Sequence, residues 1–482
     1  MRKSNIPTII IWFFYGLGTG VFLFFMTMAL GSGLGFGAVP GLAAGLVLML
    51  LLGLSVWGIR KKMSGIQSAE IGGRKQIVPV VAESILLIAC LVGMAALRIA
   101  VPQSVLADPV FETAKVTGEG FGPATAHGGM GVYLWLLHGT LLLLGNNAFA
   151  ATVLQALLMA GAAFSMYCGV RKLSGIVPAL ATVLFVGFAP YMLSESQKLT
   201  PLPLFLIVYG MALRWIAGLP ERMVATRNVP DKIYAGLHYL LTGILLGLCC
   251  YLDAAGITLL IFLTGIVCFG DTDKAVDGPS DILGNSVLVF VCCVLAAMIG
   301  YVACHGIRSL GGGSLAASLS AQLELYLPGA FRVPVTTDSG AIFWDVPVLA
   351  ALMVVGVFGF WYSRRIRDKA LWLFAAVLLI LMQCFGMSSP AYFNAYALLY
   401  LFCVGMAGCS VTDLFVMAGK EAVPEEVPVA QIDGNLEMLD LKPEEATAVN
   451  YIENPLPLPK KKEHKTLDYD YEVADDDDFD IQ

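Results

Sequence analysis

Charge is scarce in this sequence: of 482 residues only 13% are charged, while 58% are hydrophobic and the mean hydropathy is +0.78. Soluble domains carry about a quarter charged residues, so this balance excludes a water-soluble globule and calls for a lipid solvent. The ten-residue alternation of a membrane barrel is missing as well. What remains is helix, whose backbone satisfies its own hydrogen bonds in hydrocarbon. Cysteine in metal-ligand spacing is also lacking. All eleven cysteines fall in apolar runs, the pairs Cys249–Cys250 and Cys292–Cys293 included, and read as small apolar filler. No removable signal peptide is evident, because the first apolar run, 7–30, is too long for one and has no cleavage site.

What is present is a long series of apolar runs, many of eighteen residues or more, enough to cross about 30 Å of hydrocarbon. Twelve crossings are expected, at 7–30, 36–58, 78–98, 147–169, 176–193, 201–218, 233–252, 255–270, 285–305, 345–363, 370–387 and 392–417. Loops rich in Lys and Arg stay in the cytoplasm. The clusters Arg60–Lys62 with Arg74 and Lys75, Arg171–Lys172, Arg222 with Arg227 and Lys232, and Arg364–Lys369 all fall on one side. Both long polar intervals, 99–146 and 306–343, fall on the other, and Asp253 sits in an outer turn. The acidic loop 271–284 gives no support either way. The expected fold class is an all-α polytopic membrane protein of about twelve transmembrane helices, with interfacial helices in its two outer loops. Its expected place is a bacterial cell membrane, with both termini cytoplasmic.

The net charge of −7 hides an asymmetry. Residues 420–482 carry 18 Asp or Glu against 6 Lys, a balance of −12, which leaves the preceding chain at +5. With six prolines, Lys460–Lys462 and then Asp475–Asp478, this segment lacks the apolar area to offset ordering entropy and reads as a disordered cytoplasmic tail. It is either a solvated tail or a docking segment for a basic cytoplasmic partner. The expected divisions are therefore 1–76, two added helices with a basic cytoplasmic loop; 77–418, the transmembrane domain; and 419–482, the tail.

Candidate chemistry concentrates in 99–146, which holds Asp108, Glu112, Lys115, Glu119 and His127 before an amphipathic run, 130–145, with Tyr133 and Trp135. Asp108 before Pro109 is either a solvated turn residue or a functional carboxylate. A carboxylate at a membrane surface can serve as general base for a hydroxyl acceptor, or orient a divalent metal that neutralises a leaving phosphate. Arg98 reads as an interfacial anchor. Glu195 can pair with Lys198 across a helical turn. His138 and His238 read as packing residues, and His305 at a helix end is uninformative. In 306–343 the stretch LAASLSAQLELYLPG has helical spacing, whereas Gly311–Gly313 is no phosphate loop, lacking a following Lys-Ser or Lys-Thr.

The order of these parts resembles the GT-C superfamily of integral-membrane glycosyltransferases, in its ArnT and protein-mannosyltransferase-like branch (glycosyltransferase family 39-like). Asp108 with Phe111 matches that family's outer-loop Asp and nearby aromatic residue, and His127 with Tyr133 loosely matches the start of its juxtamembrane helix. Ser194–Leu204 resembles its polar turn and following helix, and Leu241–Leu252 its small-residue helix; the resemblance spans about 78–400. The sequence departs from the pattern at Pro109, where a second acid is usual, and at Gly128-Gly129, which replaces a double proline.

The resemblance implies transfer of a sugar from a polyprenyl-phosphate donor to an acceptor at the outer face, with inversion. It makes Asp108 the base and Glu112 its second carboxylate. His127, Tyr133 and Glu195 become acceptor or orienting residues, and Lys198, Arg308 and Arg332 the cations for the lipid phosphate. Arg332 and Asp338 would wall the site. The cofactor it implies is at most a divalent metal, at Asp108; the expected partners are the lipid-linked sugar and membrane lipids, with no nucleic acid. Two rivals stand beside it: a transporter or flippase of a lipid-linked or small polar substrate, and a non-catalytic scaffold acting through the tail. Charges at helix ends and the lack of a two-half repeat favour the enzyme.

Overall fold

The computed structural model describes residues 77–100, 108–116, 128–189, 198–224, 229–269, 279–309, 314–329, 366–385 and 392–420, with the short run 16–21 and scattered pairs and single positions elsewhere. The expected helices at 7–30 and 36–58, apart from such positions, and the one at 345–363 lie outside these, as does the tail beyond 420. The chain divides into two compact units, Met1–Ala422 and Val423–Gln482, and only the first contains described residues.

All regular structure among the described residues is helical. We number the helices α1 (Ile77–Ala100), α2 (Pro109–Val116), α3 (Gly128–Leu144), α4 (Ala148–Ser174), α5 (Ile176–Phe188), α6 (Leu202–Ala217), α7 (Leu219–Val224), α8 (Val229–Leu252), α9 (Leu259–Phe269), α10 (Pro279–Ser309), α11 (Leu315–Leu323), α12 (Ile366–Cys384) and α13 (Tyr392–Lys420). Spans within α1, α4, α8 and α10 are long and apolar enough to cross a membrane. Helices α3, α5, α6, α12 and α13 contribute shorter apolar stretches.

Local sequence sets the ends. Asn147 caps α4 by accepting from the Ala150 amide at 2.8 Å, and Gly175, at φ 99°, ends it in a conformation that favours glycine. The chain turns there at once into α5, whose third residue is Pro178. The helix expected at 255–270 opens instead as a 3₁₀ turn, Ala254–Thr258. Asp253 accepts from the Ala255 amide at 2.8 Å and caps that turn.

Small residues bring the long helices together. Ser165 of α4 donates to the Ile207 carbonyl of α6 at 2.6 Å, and a β-carbon on Gly169 would lie 2.6 Å from the Gly210 oxygen. Gly243 and Gly247 of α8 lie equally tight against the α10 backbone at Cys293 and Ala297. Lipid gives no hydrophobic drive between helices, so close backbone approach of this kind supplies the packing. The main core runs through α1, α4, α5, α6, α8, α9, α12 and α13, around the buried Trp372, Phe262, Phe402 and Tyr209. Trp372 donates to Ser174 at 2.9 Å.

Two buried charges fasten α1. Glu83 accepts from Arg171 Nε at 2.8 Å and from its Nη2 at 2.9 Å, and from the Tyr167 hydroxyl. Arg98, at the far end of α1, donates to the Gly187 and Val186 carbonyls at 2.9 and 3.0 Å. It thus covers the last turn of α5, where a helix presents unpaired carbonyls and partial negative charge.

Candidate active site at the Asp108 end

Asp108 stands immediately before α2, whose first residue is Pro109. One carboxylate oxygen accepts from the Val110 amide at 2.9 Å, and the Asp108 carbonyl accepts from Phe111 at 3.0 Å, so the residue caps α2. Its other oxygen accepts from the Leu199 amide at 3.1 Å, 91 residues away in sequence. Asp108 thus meets the turn around Lys198 through the backbone. Lys198 itself is exposed.

A small apolar cluster supports this arrangement. Phe111 and Ala114 of α2, Tyr133, Leu134, Leu137 and Leu141 of α3, Ala150 and Ala151 of α4, and Leu199 pack together in it. Phe111 anchors α2 while Asp108 fixes its start, and His138 Nδ1 donates to the Ala114 carbonyl at 2.8 Å. Behind the cluster the Tyr133 hydroxyl donates to Gln155 at 2.8 Å, and Gln155 donates to the Lys198 carbonyl at 3.2 Å. Tyr133 and Gln155 are fully buried. Burial first, then the nearby Asp108 carboxylate, push the Tyr133 phenol far above its usual range, so it stays protonated.

Glu112 lies on the exposed side of α2 and pairs with Lys115 at 2.6 Å; the Lys115 ammonium also stands 4.4 Å from the Phe111 ring centroid. These two charges satisfy each other along one helical turn. His127, Glu195, Arg332 and Asp338 lie outside the described residues.

A second polar group forms where α8 ends. The Arg308 side chain lies beside Tyr251. His305 is buried, with Nδ1 2.7 Å from the Ser318 hydroxyl of α11 and the edges of Tyr251 and Tyr301 against its ring. Far from uninformative, it joins α10 to the second polar interval. Tyr326 donates to the Cys250 carbonyl at 2.9 Å, and Gly329 donates to the Phe385 carbonyl at 2.8 Å, so 314–329 is tied down at three points. Burial, ahead of neighbouring groups, drives the Tyr326 phenol far upward too.

Helix α3 joins the two groups. A β-carbon on Gly129 would lie 2.5 Å from the Leu252 oxygen, and one on Gly128 would overlap the Tyr251 oxygen. Glycine at both positions lets the α3 start rest directly on the α8 end. Tyr133, five residues on, then stands roughly 8 Å further along the axis at 1.5 Å per residue.

Sequence reasoning singled out Asp108, Tyr133, Lys198 and Arg308, and missed Gln155 and Glu83. Both are polar residues within apolar helical runs, a costly placement that was itself a usable signal. Among the described residues no three His, Cys, Asp or Glu side chains gather as metal ligands would. The donors described at Asp108 amount to one carboxylate, which already accepts from two amides.

Fold and setting define a polytopic α-helical membrane protein with a polar constellation at one end of its helices. No protein-family model matches the chain, and no curated protein does. Solved structures match in part. The oligosaccharyltransferase AglB from Archaeoglobus fulgidus, in complex with an inhibitory peptide and a dolichol-phosphate, is 14% identical at a TM-score of 0.45, over 73% of this chain and 53% of that one. The oligosaccharyltransferase of the same organism, tethered with an acceptor peptide containing the NVT sequon, gives 14% and 0.43 over 70% and 50%. Its complex with Zn and sulfate gives 13% and 0.41 over 69% and 49%. The chain spans about half the length of these structures.

Proposed function

We propose that this protein is a membrane glycosyltransferase of the GT-C kind. It moves a sugar from a polyprenyl-phosphate donor to an acceptor hydroxyl at the extracytoplasmic face. The observation that carries the reading is the fixing of the Asp108 carboxylate by two amides, the local one of Val110 and the remote one of Leu199, at a half-exposed helix start. A carboxylate has about four lone-pair positions, so two amides leave room for a substrate proton. Asp108 takes the proton from the acceptor hydroxyl, whose oxygen attacks the anomeric carbon with inversion as the polyprenyl phosphate departs. Lys198, one residue from the amide that holds Asp108, and Arg308, beside Tyr251, are the described cations assigned to the leaving phosphate. His127, Glu195 and Arg332 keep their proposed roles as orienting and phosphate-binding residues. Glu112, engaged by Lys115, is the weaker candidate for a second carboxylate.

The test is glycan profiling of cells lacking the protein, rescued with the wild type or with Asp108→Asn. Loss of one glycan, restored by the wild type alone, is expected. Glycans that are identical in all three strains would overturn the proposal. Ion-gradient-driven movement of a lipid-linked substrate by Asp108→Asn would point to a transporter instead.

A further inference from the structure

We infer that Gln155 is a positioning residue for Asp108, acting through the peptide group between Lys198 and Leu199. The inference rests on the reading of Asp108 as the base. That peptide unit is planar and trans, so its carbonyl and its amide point in opposite directions. Gln155 holds the carbonyl end at 3.2 Å and Asp108 accepts from the amide end at 3.1 Å. Whatever fixes the Lys198 oxygen therefore fixes the direction in which the Leu199 N–H meets the carboxylate.

The donor pattern allows one arrangement. A backbone carbonyl only accepts, so the Gln155 –NH₂ faces Lys198 and its carbonyl oxygen faces Tyr133. The Tyr133 hydroxyl must then donate, and its proton is committed to Gln155 at 2.8 Å. Tyr133, Gln155, the 198–199 peptide and Asp108 form a single directed chain. Each of the first two is fully buried, and Leu199 is only 2% exposed. A buried amide costs stability unless both its ends are paired, and an apolar residue packs α4 without that risk. The chain instead places a fully paired amide there, in a helix otherwise dominated by Ala, Leu, Val and Met in this region.

The test uses the full-length protein in nanodiscs of phosphatidylethanolamine and phosphatidylglycerol, with undecaprenyl-phosphate glucose and undecaprenyl-phosphate mannose as donor probes. Amide exchange at Leu199 is read alongside. In Gln155→Leu, Leu199 exchange rises about tenfold, as for one lost hydrogen bond. Donor kcat falls about 10- to 100-fold with KM unchanged, as for a base displaced by less than an ångström or so. In Gln155→Glu, lowering the pH lets the protonated carboxyl donate to the Lys198 carbonyl again. Turnover relative to the wild type then climbs towards pH 5, which a packing role does not produce. Tyr133→Phe keeps the ring buried and loses about threefold, so it decides the matter if Gln155→Leu does not fold.

Leu199 exchange and kcat at wild-type values in Gln155→Leu or Tyr133→Phe, with Asp108→Asn inactive, overturn the positioning role alone. Full turnover in Asp108→Asn overturns the base assignment, and with it the inference. A wild type inert towards both probes overturns transfer from these donors, while Leu199 exchange still decides whether Gln155 holds the peptide.

Discussion

Gly128 rests so closely on Tyr251 that a methyl group would overlap its carbonyl oxygen. The obstructing atom is backbone at the end of α8, which cannot rotate away. Gly128→Ala is expected to lower stability by about 1–3 kcal/mol, the usual range for overpacking. Gly131, one turn along α3, meets nothing within 4 Å of its hypothetical β-carbon. Gly131→Ala should be neutral or gain up to ~1 kcal/mol of helix propensity. Melting temperatures of the two purified variants check the contrast, and equal melting temperatures would contradict the close approach.

Arg98 gives a second comparison. Arg98→Met keeps much of the apolar stem but leaves the Val186 and Gly187 carbonyls without their guanidinium, at a cost of about 1.5–3 kcal/mol for hydrogen bonds to a charged donor. Arg98→Lys should recover only part, because an ammonium lacks the planar fork that serves two carbonyls at once. Thermal unfolding of both variants is the measurement.

The Glu83–Arg171 pair is lopsided: the Glu83 side chain is 5% exposed and that of Arg171 45%. Arg171→Leu, which strands a buried carboxylate, should therefore destabilise more than Glu83→Gln, which leaves a hydrated guanidinium. The double variant with Glu83→Leu should recover part of the loss. A double-mutant cycle should give a coupling of about 1 kcal/mol, discounted for the exposed arginine and smaller at high salt.

Gly247 faces the α10 backbone at Ala297, while Gly236, earlier on α8, has open space around it. Gly247→Leu should force α8 and α10 apart and abolish a monodisperse gel-filtration peak. Gly236→Leu should elute as the wild type does. If both elute normally, the close packing of these helices is wrong.

These contrasts also mark what the sequence made legible. Apolar length announced the long helices, because hydrocarbon admits little else. Asp108, Tyr133 and the turn near Lys198 stood out as polar or amphipathic residues at helix ends. The route connecting them did not, because it runs through the 198–199 backbone, and a peptide group leaves no trace in residue identity. Gln155 was overlooked as one letter in an apolar run. Gly128-Gly129 registered as a departure from a motif, whereas its cause is contact with α8, a partner more than a hundred residues away. His305 seemed without meaning because its partner Ser318, thirteen residues on, belongs to the next polar interval.

The reach from Asp108 to Leu199 also sets a timetable for biogenesis. The 91 intervening residues take a ribosome roughly 5–18 s at 5–20 residues per second. During that time Asp108 can close its bond to Val110 but has no Leu199 amide to meet. Its carboxylate waits without that partner until α3, α4 and α5 have been made, so the arrangement is finished late, by a segment that follows all three helices.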